Sequence, residues 1–211
     1  MELEAIKSLA FQAGCSLLHI IIIENRESIS LLPSFSSDPL NLYLAIIQAL
    51  LSIANRTTTF DRSYIESIAH LLQDLFVMMS STSMVIAPFT QQSLFLLILQ
   101  AILSPLSQQR NGGSHSIRSG YYILFLTFLQ YAKKTESLPH LIQSLNPSLE
   151  QLVYLLMNDC DNQVYEDRIA ALSLLNCLLT TDLKESIIQY IMSFELSLQV
   201  QSISISSNHR I

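Results

Sequence analysis

The chain is 211 residues long, half of them hydrophobic and 13% charged, with a net charge of −6; soluble domains carry about 25% charged residues, so much of this surface is covered by lipid or by protein. Lipid is excluded by run length: a spanning helix needs about 20 consecutive apolar residues, and Leu17–Ile23, Leu94–Leu106 and Tyr121–Leu129 are shorter or broken by Gln100, Ser104 and Pro105. A nucleic-acid surface needs clustered cations, whereas the 11 basic residues are scattered and Lys133-Lys134 is their only adjacent pair.

Apolar residues recur at intervals of three and four, the mark of amphipathic helices. Leu3, Ile6, Leu9, Ala10, Ala13, Leu17 and Leu18 share a face and predict a helix over about 3–25. Its start, Met1-Glu2-Leu3-Glu4, is acidic where a secretory leader is basic. Ser37 or Asp38 is the predicted cap of a second helix, with Pro39 in the first turn, where a missing N–H costs nothing. That helix runs to about Ile53. The sequon Asn55-Arg56-Thr57 follows, but without a secretory signal it reads as a chance match.

Thr59 or Asp61 starts a third helix, through Ile65, Ile68, Ala69, Leu72 and Leu75 to about Met79. Pro88 and Thr90 open a fourth, which reaches about Leu106 with Pro105 disturbing its last turn. Gln108–Ser116, containing Asn111-Gly112-Gly113, is the clearest loop and the predicted disordered stretch. A fifth helix covers about Ile117 to Lys133, followed by a short turn near Leu138–Leu145. Asn146-Pro147 caps a sixth helix ending near Met157. Asp161 or Asn162 caps a seventh, through Val164, Arg168, Ala171, Leu172, Leu175 and Leu179. Asp182 with Glu185 resembles a capping box and starts the eighth. The Ser-rich end, Ser202–Ile211, is predicted to fray.

Candidate chemistry is sparse. Cys15 and His19 lie four apart and could face one metal, yet two ligands make no zinc site and no C-x-x-C or H-x-x-x-H partner exists. Cys15, Cys160 and Cys177 read as buried reduced thiols of a cytosolic or nuclear protein. Asn158-Asp159-Cys160-Asp161-Asn162 gathers carboxylates at a turn. A calcium loop would need a central Gly, where Val164 stands, so capping of the next helix explains the acids better. His70 has only Glu66 at i−4, a surface pair rather than a base with its orienter. Gly112-Gly113 lacks the following Lys of a phosphate loop. The expectation is no catalytic residue, no metal and no cofactor.

Adjacent helix pairs span about 40–55 residues, near the 40–47-residue spacing of HEAT and armadillo repeats. Such pairs bury their apolar faces only by stacking on neighbours. The sequence therefore predicts an all-α, HEAT/armadillo-like solenoid segment: a right-handed stack of about eight helices over 1–201 with a tail at 202–211. It reads as part of a longer superhelix.

Val164-Tyr165-Glu166-Asp167-Arg168-Ile169-Ala170-Ala171-Leu172 looks like the second helix of a HEAT repeat, in which an Arg faces the inter-repeat turn and paired Ala residues permit close approach. The longer succession Tyr121–Tyr131 (YYILFLTFLQY), Leu152–Asp161 (LVYLLMNDCD), Arg168–Leu179 (RIAALSLLNCLL) and Ile188–Leu198 resembles the giant α-solenoid scaffold nucleoporins of the nuclear pore inner ring. The resemblance spans about Tyr121 to Val200 and is best over Asn158–Leu179. It implies a structural role at the nuclear envelope, stacked among other nucleoporins and holding their short linker segments. The rival expectation is another HEAT-type adaptor, a transport receptor or regulatory subunit; a receptor for basic cargo would carry acidic rows, whereas the 17 acids here are thinly spread.

Overall fold

The computed structural model describes residues 39–54, 62–82, 85–104, 117–161 and 164–208, with residues 9, 10, 13, 14, 16 and 17 near the N-terminus. Those six positions have helical backbone and are exposed, Leu9 and Leu17 among them. The rest of the helix expected over 3–25, the loop 108–116 and the caps Ser37, Asp38, Thr59 and Asp61 lie outside the described residues.

Among the described residues the chain is all-helical. Eight α-helices succeed one another: α1 (Pro39–Ala54), α2 (Arg62–Thr82), α3 (Pro88–Leu103), α4 (Ile117–Lys134), α5 (Leu138–Gln143), α6 (Leu149–Cys160), α7 (Tyr165–Leu179) and α8 (Lys184–Asn208). A 3-10 turn, Asn146–Ser148, leads into α6. None of these helices is long and apolar enough to cross a membrane.

Helix α4 is the centre. Its YYILFLTFLQY run buries Tyr121, Tyr122, Leu124, Phe125, Phe128, Leu129 and Tyr131, because α4 packs against α2, α3, α5 and α7 at once. An aromatic ladder joins three helices. Phe76 of α2 stacks on Tyr131 with ring centres 4.4 Å apart, and Phe95 of α3 meets Phe125 at 5.1 Å. Such pairs add about 0.5–1.5 kcal/mol beyond the area they bury. The Tyr131 hydroxyl also accepts the backbone N–H of Ile86 at 3.0 Å, tying the α2–α3 connection to α4.

The remaining contacts are orderly. Helix α1 packs on α3, α6 packs on α8 and more lightly on α3, and α7 packs on both α4 and α6. Ala170 and Ala171, fully or nearly buried, let α7 approach these neighbours closely.

The helix ends depart from the sequence expectation in instructive ways. Helix α3 stops at Leu103 rather than near Leu106, because Ser104 takes extended angles (φ −65°, ψ 136°). The ring of the following Pro105 bars its predecessor from the α region. The turn expected near Leu138–Leu145 contains the short helix α5, and Asn146-Pro147 forms a 3-10 turn, so α6 begins only at Leu149. Helix α6 also extends past Met157 to Cys160. Asp161 closes α6 instead of capping α7, whose N-cap is Val164 without a side-chain bond; Asn162 is outside the described residues. The first turn of α7 carries Glu166 and Asp167 instead, where the helix dipole favours negative charge. Before α8, Thr181 Oγ1 accepts the Leu183 backbone N–H at 3.3 Å and Thr181 O accepts that of Lys184 at 3.2 Å. Helix α8 continues to Asn208, into the Ser-rich end; adding a residue to an existing helix is cheap compared with nucleating one.

The C-terminus of α4 ends on an unusual residue. Ser137 N–H bonds to Ala132 O at 3.0 Å and Glu136 N–H to Lys133 O at 3.4 Å. This is the Schellman pattern, usually built on glycine, yet here Glu136 supplies the left-handed residue with φ 57°.

Candidate functional site

Among the described residues the last turn of α6 holds the main buried polar constellation. Asp159, on the last turn of α6, reaches back to the first turns of α4. Its Oδ2 lies 3.1 Å from Arg118 Nη1 and accepts the Tyr122 hydroxyl at 2.6 Å. Tyr122 is 1% exposed and Arg118 5% exposed, so both need a partner inside the protein. Burial above all, then the Asp159 charge, pushes the Tyr122 phenol far above its ordinary range. It therefore stays a neutral donor. The spacing Arg118 to Tyr122, one helical turn, places both side chains on one face of α4. The sequence reading missed this use of Asp159.

The constellation has the geometry of a clasp. Asp159 has Arg118 and Tyr122 within hydrogen-bond reach, and burial holds the Tyr122 phenol protonated. Its action is to fasten α6 to α4.

The other sequence candidates are dispersed. Cys15 and His19 lie outside the described residues. His70 is exposed on α2, one turn from half-buried Glu66. Cys160 and Cys177 are half-buried free thiols. Burial, with help from Asp161 and Asp159, raises Cys160 to about 11; burial also raises Cys177, against a lowering by Lys133. Both are weak nucleophiles at neutral pH. Among the described residues no three His, Cys, Asp or Glu side chains gather in a way that could hold a metal. The Arg168 guanidinium lies over the Tyr165 ring, 5.7 Å from the centre.

Two surface features stand out. The first is an open-sided groove of about 730 Å³ between α2 and α4, floored by Phe76, Thr127 and Tyr131. The second is a pair of apolar stripes. Tyr165, Ile169 and Leu172 are 61%, 43% and 48% exposed on α7, and Met192 and Leu196 are 60% and 61% exposed on α8. At 100° per residue, each stripe lies opposite the buried side of its own helix.

No protein-family model, curated protein or solved structure matches the chain.

Proposed function

We propose that the chain is a segment of an α-solenoid assembly scaffold, HEAT/armadillo-like in construction, that works by being held against other proteins. The observation that carries this reading is the order of helix neighbours. Contacts run α1–α3–α6–α8 along one row and α2–α4–α7 along another, with α1/α2, α3/α4 and α6/α7 paired across. Helix α5 and the 3-10 turn then form an insert between repeats. Stacked helix pairs give this alternation, and the extended surfaces they make suit protein binding. The stripes on α7 and α8 support the same reading, since they occupy the side on which a further pair would stack. Monomers rarely expose apolar patches beyond a few hundred Å², and the low charge content agrees.

The nuclear pore inner ring is the proposed setting, with other nucleoporins as neighbours; the support for it is the resemblance over Tyr121–Val200. The test is in situ cross-linking of the tagged full chain, read by mass spectrometry alongside fluorescence. A nuclear-rim signal with cross-links to pore proteins is the expected result. Diffuse signal with no such cross-links would remove the pore from the proposal. An experimental structure in which α2, α4 and α7 do not form one row would remove the solenoid.

A further inference from the structure

We propose that the groove between α2 and α4 is a docking site for an acidic, amphipathic segment of another protein. The floor is apolar: Phe76 and Tyr131 are stacked flat against each other, and Thr127 continues the surface. On the α2 side Val77 stands 71% exposed at the lip. On the α4 side the lip is Lys133 and Lys134, both exposed.

Charge selects the occupant. In a chain of net charge −6, Lys133-Lys134 is the only adjacent basic pair, and it sits at this groove. Neither ammonium joins an ion pair with a described residue. Their place in the last turn of α4 suits the helix dipole, which accounts for two cations there but not for the apolar trough left open beside them. Asp74 is on the opposite wall, so the groove is polarised across its width. A segment lying in it turns its carboxylates toward α4 and its apolar side chains down onto Phe76, Val77 and Tyr131.

Shape selects a polypeptide over a small molecule. The volume is within the ~300–1,000 Å³ of ligand pockets, but those enclose most of their ligand and present convergent polar groups. This trough is open to one side and walled by residues of two helices, a form into which a partner helix can lay its apolar face. The proposal rests on the scaffold reading only for why a partner is at hand; the groove, its floor and its lysines stand without it.

The test is an unbiased one. A displayed library of random 16-residue peptides is selected on the full chain, and the enriched peptides are re-measured by fluorescence anisotropy. The expected outcome is enrichment in Glu and Asp beside spaced apolar residues. Binding should weaken as salt rises past a Debye length of about 10 Å. The double variant K133E/K134E should weaken it about tenfold or more, and a peptide with its acids changed to Lys should regain affinity for that variant alone. Val77→Asp should abolish binding of both peptides. All three positions are exposed, so the variants should stay folded, K133E/K134E melting somewhat lower because it reverses charges that suit the α4 dipole, and circular dichroism checks this. Enriched peptides without acidic bias, or equal binding to parent and K133E/K134E, would overturn the proposal. So would self-association of the chain that K133E/K134E or Val77→Asp abolishes, because the groove would then belong to a second copy. Localisation away from the nuclear rim would leave these results unchanged, so the two proposals fail separately.

Discussion

Removing the Asp159 carboxylate should be among the most damaging single changes on this surface. In Asp159→Ala the Tyr122 hydroxyl, 1% exposed, loses its 2.6 Å acceptor, and a buried donor left unpaired costs about 1–3 kcal/mol. Arg118 loses its 3.1 Å ion pair. Breaking a buried pair from one side costs about 3–5 kcal/mol, but the Asp159 side chain keeps 19% of its exposure, so water screens the pair and the lower end applies. The two penalties overlap because one oxygen serves both partners. The expected total is about 3 kcal/mol, or a fall in Tm of about 6–12 °C at the 2–4 °C per kcal/mol of a domain this size. Asp159→Asn keeps an acceptor for the phenol and should cost about 2 kcal/mol. Tyr122→Phe leaves the ion pair and should cost about 1.5 kcal/mol, the lower end for one hydrogen bond to a charged group. In the double variant Asp159→Ala/Tyr122→Phe no phenol is stranded, so the combined cost should fall short of the sum by about 1 kcal/mol. Urea unfolding followed by circular dichroism at 222 nm measures all four. A cost below about 1 kcal/mol for Asp159→Ala, or strict additivity with Tyr122→Phe, would refute the clasp.

Asp161→Ala should cost less than about 0.5 kcal/mol in the same assay, because Asp161 closes α6 through its backbone N–H, which alanine keeps; a loss of 1–2 kcal/mol, the size of an N-cap, would restore the side-chain capping role. Glu136→Gly should stabilise the chain by about 0.5–1 kcal/mol, since a non-glycine residue at φ 57° carries left-handed strain of about 1–2 kcal/mol, part of which the flexible glycine gives back in the unfolded chain. A destabilised Glu136→Gly in thermal melts would count against that backbone conformation. Cys160 should react with iodoacetamide at pH 8 at least about tenfold more slowly than a free thiol. Its rise from 9.0 to about 11 favours the protonated form and cuts the thiolate by about a hundredfold, of which the greater basicity returns roughly tenfold. The rate should climb with pH toward 11, and a plateau below pH 9.5 would contradict the raised thiol.

What could be read from the sequence was whatever a short window contains. Helices α1 to α4 and α6 to α8 follow from apolar residues three and four apart, whereas the six-residue α5 is too short for that period and reads as a turn; α3 ends early because of a single proline whose effect on Ser104 is local. The polar clasp was hidden for the opposite reason. Asp159 and Arg118 are 41 residues apart, so within its own window Asp159 is simply an acid in a turn, and the nearest helix start looked like its purpose. The spacing of Arg118 and Tyr122 on an otherwise apolar face was the available hint, since a buried Arg requires a counter-charge from elsewhere. The groove had no local signature at all. Its walls come from residues 73–77 and 127–134, and only the packing of α2 on α4 makes them one surface.

The aromatic ladder of α4 has a consequence in time. Helices α1 to α3 are synthesised first, yet among the described residues Phe76 and Phe95 stack or tilt against rings of α4. From Leu103 to Lys134 the ribosome must add 134 − 103 = 31 residues, which at about 5–20 residues per second takes about 2–6 s. During that interval Phe76 and Phe95 lack their α4 ring partners, and the tyrosine that anchors the α2–α3 connection does not yet exist. Helices form in well under a millisecond, so the wait is set by translation and not by folding. A newborn chain of this design needs shelter at one definite stage of its synthesis, and α4 ends that need when it emerges.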